Sequence, residues 1–210
     1  MLTNKKVWYI VKMSCLVTME RMIELKFTTK DITLISLFVA LITIGSKITI
    51  PSPIVPFTLQ WMFVALSGML LGSRLAPISV IVYILLGLLG LPVFTKGGGI
   101  SYILSPTFGY LIGFIPASFI IGKAVERMEN KIKFWRIMIA MTCALFVLYS
   151  IGVSYMYVVA TMYLCKSMSL TNAIWYGAAL FIPTDLLSAT FCSIFGVKAA
   201  RQVRTIVNSQ

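Results

Sequence analysis

The sequence has no histidine and only six acidic residues among 210. The first absence removes the commonest general base and the commonest nitrogen ligand for metals, and with them zinc hydrolases of the HExxH kind; no metal site is expected. The second leaves five carboxylates, Glu20, Glu24, Asp31, Glu126 and Glu129, in basic flanking segments and a single one, Asp185, inside an apolar stretch. Cysteine is scarce as well: Cys15, Cys143, Cys165 and Cys192 show no CxxC spacing, and they read as small hydrophobes rather than ligands or a disulfide framework. No phosphate-binding loop is present. The nearest approach to GxxxxGK[ST] ends at Gly122-Lys123, with Ala117 where the first Gly should stand and Ala124 after the Lys, so the chain cannot hydrolyse ATP by itself. A membrane enzyme would need a nucleophile or an acid and base pair converging in the apolar region, and the candidates are too few.

What the chain has in abundance is apolar surface: 59% of its residues are hydrophobic and 11% charged, with a mean hydropathy of +0.95. That is too apolar for a soluble domain of this length, so its solvent is largely lipid. A helix needs about 20 mostly apolar residues to cross ~30 Å of hydrocarbon. Six candidate runs lie near Ile32–Ile50, Phe57–Gly72, Ala76–Leu91, Thr107–Gly122, Ile137–Leu164 and Ala173–Val197. The second and third are short and joined only by Ser73, Arg74 and Leu75, which predicts a tight helical hairpin. The expected fold is therefore all-α, an integral membrane bundle of six transmembrane helices.

A net charge of +12 would ordinarily suggest nucleic acid, but its distribution points elsewhere. Lys5, Lys6, Lys12, Arg21, Lys26 and Lys30 precede the first run; Arg74, then Lys123, Arg127, Lys131, Lys133 and Arg136, then Lys198, Arg201 and Arg204 follow in alternate connections, fifteen in all. The other connections carry only Lys47, Lys96 and Lys166. Cytoplasmic loops hold the excess of Lys and Arg, so both termini are expected in the cytoplasm of a multi-pass protein of the cell membrane. Residues 1–25 are expected to form a cytoplasmic leader, 26–203 the six-helix domain and 204–210 a cytoplasmic tail. The leader imitates a signal peptide in Lys5, Lys6 and the run from Val7 to Val17, yet Lys12 interrupts it and no small-residue cleavage site follows, so no cleavage is expected. A later start at Met13, Met19 or Met22, or an amphipathic helix on the membrane surface, both fit these residues.

Two outer connections are richer in special residues than a linker needs. Pro51, Pro53 and Pro56 stiffen the segment Ile50–Gln60. In the segment Leu91–Tyr102, three glycines, Gly97, Gly98 and Gly99, allow close backbone approach, so the loop can wrap a ligand or fold back into the bundle; a flexible hairpin is the plainer reading. Tyr102 beside it is either an orienting hydroxyl for a polar ligand or an interfacial belt residue. Asp185, just past Pro183, is a functional candidate because an ionisable group at mid-membrane costs at least ~2.5 kcal/mol on insertion scales. Its alternative role is to cap a helix restarting after Pro183. Gly109, Gly113 and Ala117, like Gly68 and Gly72, narrow helix faces for close packing, and Ser36 with Ala40 forms a similar patch on the first helix that either packs internally or faces a partner subunit. Thr142, Ser150, Ser154 and Thr161 make a poor channel lining.

Taken in order, Thr29-Lys-Asp-Ile-Thr-Leu, Val55-Pro-Phe-Thr-Leu-Gln60, Gly87-Leu-Leu-Gly-Leu-Pro-Val-Phe94, Gly97-Gly-Gly with Tyr102, and Pro106-Thr-Phe-Gly-Tyr-Leu-Ile-Gly113 resemble the BioY family over roughly Lys26 to Val203. These are the biotin-specific substrate-binding (S) components of energy-coupling factor (ECF) transporters. The resemblance implies a six-helix S component that captures biotin near the outer face. Its energy would come from a transmembrane coupling subunit and two cytoplasmic ATPases, with Ser36 and Ala40 matching the family's small residues against the coupling subunit and a toppling motion carrying the ligand across. Biotin would be a ligand and no covalent cofactor is implied. In the substrate site the resemblance places Asp185, Tyr102, Lys96, Gly97, Gly98, Gly99 and Ser188. Two departures bear on the substrate: Lys96 stands where Asn commonly precedes the glycines, and Ser188 where a Lys commonly follows the Asp by three residues. Asp185 would accept the ureido N–H groups, which cost ~1–3 kcal/mol if left unpaired in a dry pocket, and Lys96 would supply the cation that Ser188 does not. The alternative substrate is a related acid such as lipoate, which has no N–H donors; retention of Asp185 argues against it.

Overall fold

The computed structural model describes residues 27–50, 57–128, 134–163 and 169–194. The leader, the three prolines of the first outer connection, Lys166 and the tail lie outside them. The chain divides into two compact units, Met1–Thr33 and Leu34–Gln210. In the first, Thr28 and Asp31 cap one another: Asp31 N–H donates to Thr28 Oγ1 at 3.2 Å and Thr28 N–H to Asp31 Oδ2 at 3.0 Å. This reciprocal pair satisfies two donors that a helix start would otherwise leave orphaned, and it opens α1 (Thr29–Lys47).

Within the second unit, α1 buries Ile35, Phe38, Val39 and Ile42 at helical spacing while Leu37 and Ile44 stay exposed. An apolar residue on both faces is what a lipid-immersed helix requires. A two-residue ribbon follows, β1 (Thr49–Ile50) antiparallel to β2 (Phe57–Thr58), with Thr49 opposite Thr58 and Ile50 opposite Phe57. The remaining helices are α2 (Gln60–Leu88), α3 (Phe108–Arg127), α4 (Phe134–Tyr163) and α5 (Thr171–Ile194). With α1 they give, among the described residues, five helices long and apolar enough to cross a membrane, and outward-facing Phe146, Ile139, Leu187 and Phe191 present hydrocarbon to hydrocarbon. The chain is a multi-pass membrane protein.

The difference from six expected runs lies in α2, which contains both the second and the third. Gly72 interrupts it with φ 78° and ψ −174°, a combination essentially confined to glycine. A straight helix would hold Gln60 and Tyr83 about 34 Å apart, yet Gln60 Nε2 donates to the Tyr83 hydroxyl at 2.8 Å. The chain therefore reverses at Gly72 into two legs, 60–71 and 73–88, as the short Ser73-Arg74-Leu75 connection predicts. Glu126 near the end of α3 secures the reversal: its carboxylate accepts from Ser73 N–H at 2.6 Å and from Ser73 Oγ at 2.8 Å. Helix α3 comes this close because small residues on both α2 and α3 leave room. A Cβ added at Gly122 would meet the Gly72 carbonyl carbon at 2.5 Å, and one at Gly68 would meet Ser118 O at 2.9 Å.

At the opposite end of the bundle, Ser46 Oγ donates to Val93 O at 2.6 Å and Lys47 Nζ to Phe94 O at 2.8 Å, so the end of α1 holds the loop that follows α2. The loop itself turns back. Phe94 and Gly97 exchange backbone hydrogen bonds at 2.9 and 3.2 Å, and Gly99 N–H donates to Gly87 O at 2.7 Å. Gly97 and Gly99 take φ of 114° and 113°, the conformations such a reversal demands. Phe94 is thereby driven wholly into the bundle against Gly87. The loop that carries the glycine run thus folds back into the bundle. The 3₁₀ turn Ile100–Leu104 then leads to α3.

Helices α4 and α5 each loosen into a π turn beside their connection, at Val159–Tyr163 and Trp175–Ala179. Three of the α4 hydroxyls need no pore to satisfy them. Thr142, Ser150 and Thr161 donate to the carbonyls of Met138, Phe146 and Tyr157 within their own helix.

Candidate ligand-binding site

Helices α2 to α5 and the returned loop line a cavity with an open mouth, about 580 Å³ of empty space when the solvent of the mouth is included. Its walls follow from the packing just described. The leg 60–71 begins with Gln60 and Trp61, whose helix turns both side chains inward; Gln60 is fixed by its bond to Tyr83, whose own hydroxyl donates to Val93 O at 3.1 Å. Thr58 lies on the adjoining strand, and Thr95 and Tyr102 come from the returned loop and the 3₁₀ turn. From α3, Thr107 at its start and Tyr110, Leu111 and Phe114 at helical spacing face the space; α4 contributes Leu148 and Tyr149, and α5 Phe181 and Asp185.

Asp185 is 7% exposed. Counting from Thr171 it stands about 21 Å along α5. Its Oδ2 accepts a hydrogen bond from the Tyr149 hydroxyl. The carboxylate thus has a partner from another helix, and one oxygen so engaged leaves Oδ1 as acceptor capacity beside the cavity. Tyr102 is buried rather than placed at a lipid interface. Its ring lies 4.4 Å from that of Phe94, and its hydroxyl accepts from Thr107 Oγ1 at 3.1 Å. Burial pushes the Tyr102 phenol above its ordinary value, so the hydroxyl stays protonated and available for hydrogen bonding. Tyr110 reaches across to donate to Gly177 O at 2.7 Å, tying α3 to the π turn of α5.

Asp185 and Tyr102 therefore meet at one cavity. Lys96, Gly97, Gly98, Gly99 and Ser188 are not among its lining residues. Gly97 and Gly99 spend backbone groups on the loop's own return, Lys96 is exposed at the loop tip next to cavity-lining Thr95, and Ser188 follows Asp185 by three residues on the same side of α5, one turn beyond the lining residues. Sequence reasoning missed Tyr149, Tyr110, Gln60 and Trp61. A signal existed for Gln60, the polar end of the Pro-Phe-Thr-Leu-Gln string. Nothing in the pattern of α4 singles out Tyr149, since its pairing with Asp185 spans 36 residues. The wall holds one carboxylate, several neutral donors, six aromatic side chains and no cationic one: it suits a small ligand with an apolar body and N–H donors.

Comparison with known proteins agrees with this chemistry. The BioY family's sequence model matches residues 18–205. A probable biotin transporter BioY of Lysinibacillus sphaericus is 40% identical over 187 residues, covering 85% of this chain and 94% of that one. A second, of Pyrococcus horikoshii, is 37% identical over 161 residues, covering 76% and 90%. Among solved structures, the S-component for biotin from an ECF-type ABC transporter superposes with a TM-score of 0.69 at 24% identity, covering 85% of this chain and 95% of that one, which is a likeness of fold.

Proposed function

The chain belongs to the BioY family, and from that premise we propose that it captures biotin in the cavity beside Asp185 and delivers it as the S component of an ECF transporter. The observation that carries the reading is the buried carboxylate of Asp185 at a cavity wall otherwise built of aromatic rings and neutral donors. Biotin's ureido N–H groups are its natural partners, because a dry pocket penalises any donor or acceptor left alone. Tyr149 holds Oδ2 and so orients Oδ1 toward the ligand; Tyr102 and Gln60 supply neutral contacts around the bicycle. Lys96 at the loop tip pairs with the ligand's carboxylate at the mouth, taking the part that Ser188 cannot play, and Gly97, Gly98 and Gly99 shape that loop.

The same reading counts six crossings, each leg of α2 being one, with both termini cytoplasmic. It is supported by Arg74, Lys123 and Arg127 gathering at the Gly72 end of the bundle, away from the cavity. Ser36 and Ala40 are exposed on α1 and form the contact with a coupling subunit, which together with two ATPases supplies the energy this chain lacks a nucleotide site to provide.

Titration of the protein in detergent with biotin, dethiobiotin and lipoate tests the proposal. Saturable binding of the two ureido compounds, with lipoate at least about a hundredfold weaker for want of N–H donors to a charged acceptor, is the expected result. Binding of lipoate in preference to both would withdraw biotin as the substrate.

A further inference from the structure

Trp61 is 3% exposed and lines the cavity. Its indole stacks on Phe114 with centroids 6.5 Å apart and planes at 24°. Its Nε1–H is buried and has no hydrogen-bond partner among the described residues, alone in this among their buried side-chain polar atoms. Buried donors in folded proteins are nearly always paired, so an orphan at the wall of a binding cavity marks a place where the ligand completes the bonding.

The indole N–H only donates, so its partner is an acceptor. Biotin has two, the ureido oxygen and the carboxylate. The lining residues include Asp185 and no Lys or Arg. Placing the ligand's carboxylate against Trp61 would bury a second anion with no cation in the wall, a far larger penalty than burying a neutral oxygen that accepts a hydrogen bond. Resting on the biotin reading above, we propose that Trp61 Nε1–H is the donor for the ureido oxygen, opposite in polarity to the acceptor Asp185, and that it sets selectivity for an oxo ureido ring. The two residues read complementary halves of one ring: acceptor to its N–H groups, donor to its C=O.

The test pairs Trp61→Phe, which keeps an aromatic ring and deletes the donor, with three ligands: biotin, its 2-thio analogue, whose sulfur is a weak acceptor, and biotinamide, whose carboxylate is masked. Wild-type protein should bind all three, with the thio analogue weakest. Trp61→Phe should weaken biotin and biotinamide roughly threefold to tenfold and leave the thio analogue within about twofold, which also certifies that the variant is folded. A loss confined to biotin and the thio analogue, sparing biotinamide, would assign Trp61 to the carboxylate and overturn the proposal. Equal affinities of variant and wild type for every ligand would overturn it too, leaving Trp61 as packing. If wild-type protein binds none of the three, it is the biotin reading itself that fails, a result distinguishable from either of these.

Discussion

Replacing Asp185 by Asn is expected to lower affinity for biotin by roughly tenfold to a hundredfold, the range for losing hydrogen bonds to a charged acceptor. The variant is nearly isosteric, so the bundle should survive it. The mechanism is specific to the geometry. Tyr149 donates to one carboxylate oxygen, so the amide introduced by Asp185→Asn turns its carbonyl oxygen toward Tyr149 and presents its NH₂ to the ligand. A donor then meets the ureido N–H donors. It follows that the effect depends on Tyr149: in a Tyr149→Phe background the amide is free to flip and offer its oxygen to biotin, and Asp185→Asn should be several-fold less damaging there. Equilibrium binding of the four proteins in the cycle measures this coupling. Additive losses would mean that Tyr149 does not orient the carboxylate.

The second large effect concerns folding. Gly72→Val should destabilise the bundle by about 3 kcal/mol or more, combining a backbone conformation closed to branched residues with a displaced contact. A Cβ at this position would meet Glu126 Oε1 at 2.7 Å, the same oxygen that accepts from Ser73 N–H. The substitution therefore strains the reversal and removes its cap together. Gly90→Ala is the matched comparison: φ is 103° but nothing lies within 4 Å of the added carbon, so only the conformational part, about 1–2 kcal/mol, should be lost. Thermal unfolding in detergent should place Gly72→Val well below Gly90→Ala, and equal midpoints would show that the Gly72 turn is not held by Glu126.

How far the sequence reached follows from the range of the interactions involved. Apolar runs, basic connections and the Ser73-Arg74-Leu75 hairpin are local features, and their physics is local, so they are readable without coordinates. Asp185 stands out because a lone carboxylate in an apolar run is costly wherever it lies. Its partner is not readable: Tyr149 is one aromatic among many in α4, and only the packing of α4 against α5 makes it the donor. The same holds for Trp61, whose importance rests on a hydrogen bond that is missing, and for the glycine loop, where sequence can state the freedom but not the direction of the turn. Lys96 and Ser188 mark where position in a motif and position in space part company: each lies close in the chain to a cavity-lining residue, and neither lines the cavity.

The most direct test of the central claim is a structure of the protein with biotin bound. The bicycle should lie among Trp61, Phe114 and Phe181, with a ureido nitrogen about 2.7–3.2 Å from Asp185 and the valerate tail leading out past Thr95. Biotin held with its carboxylate inward beside Asp185, or bound outside this cavity, would contradict that claim.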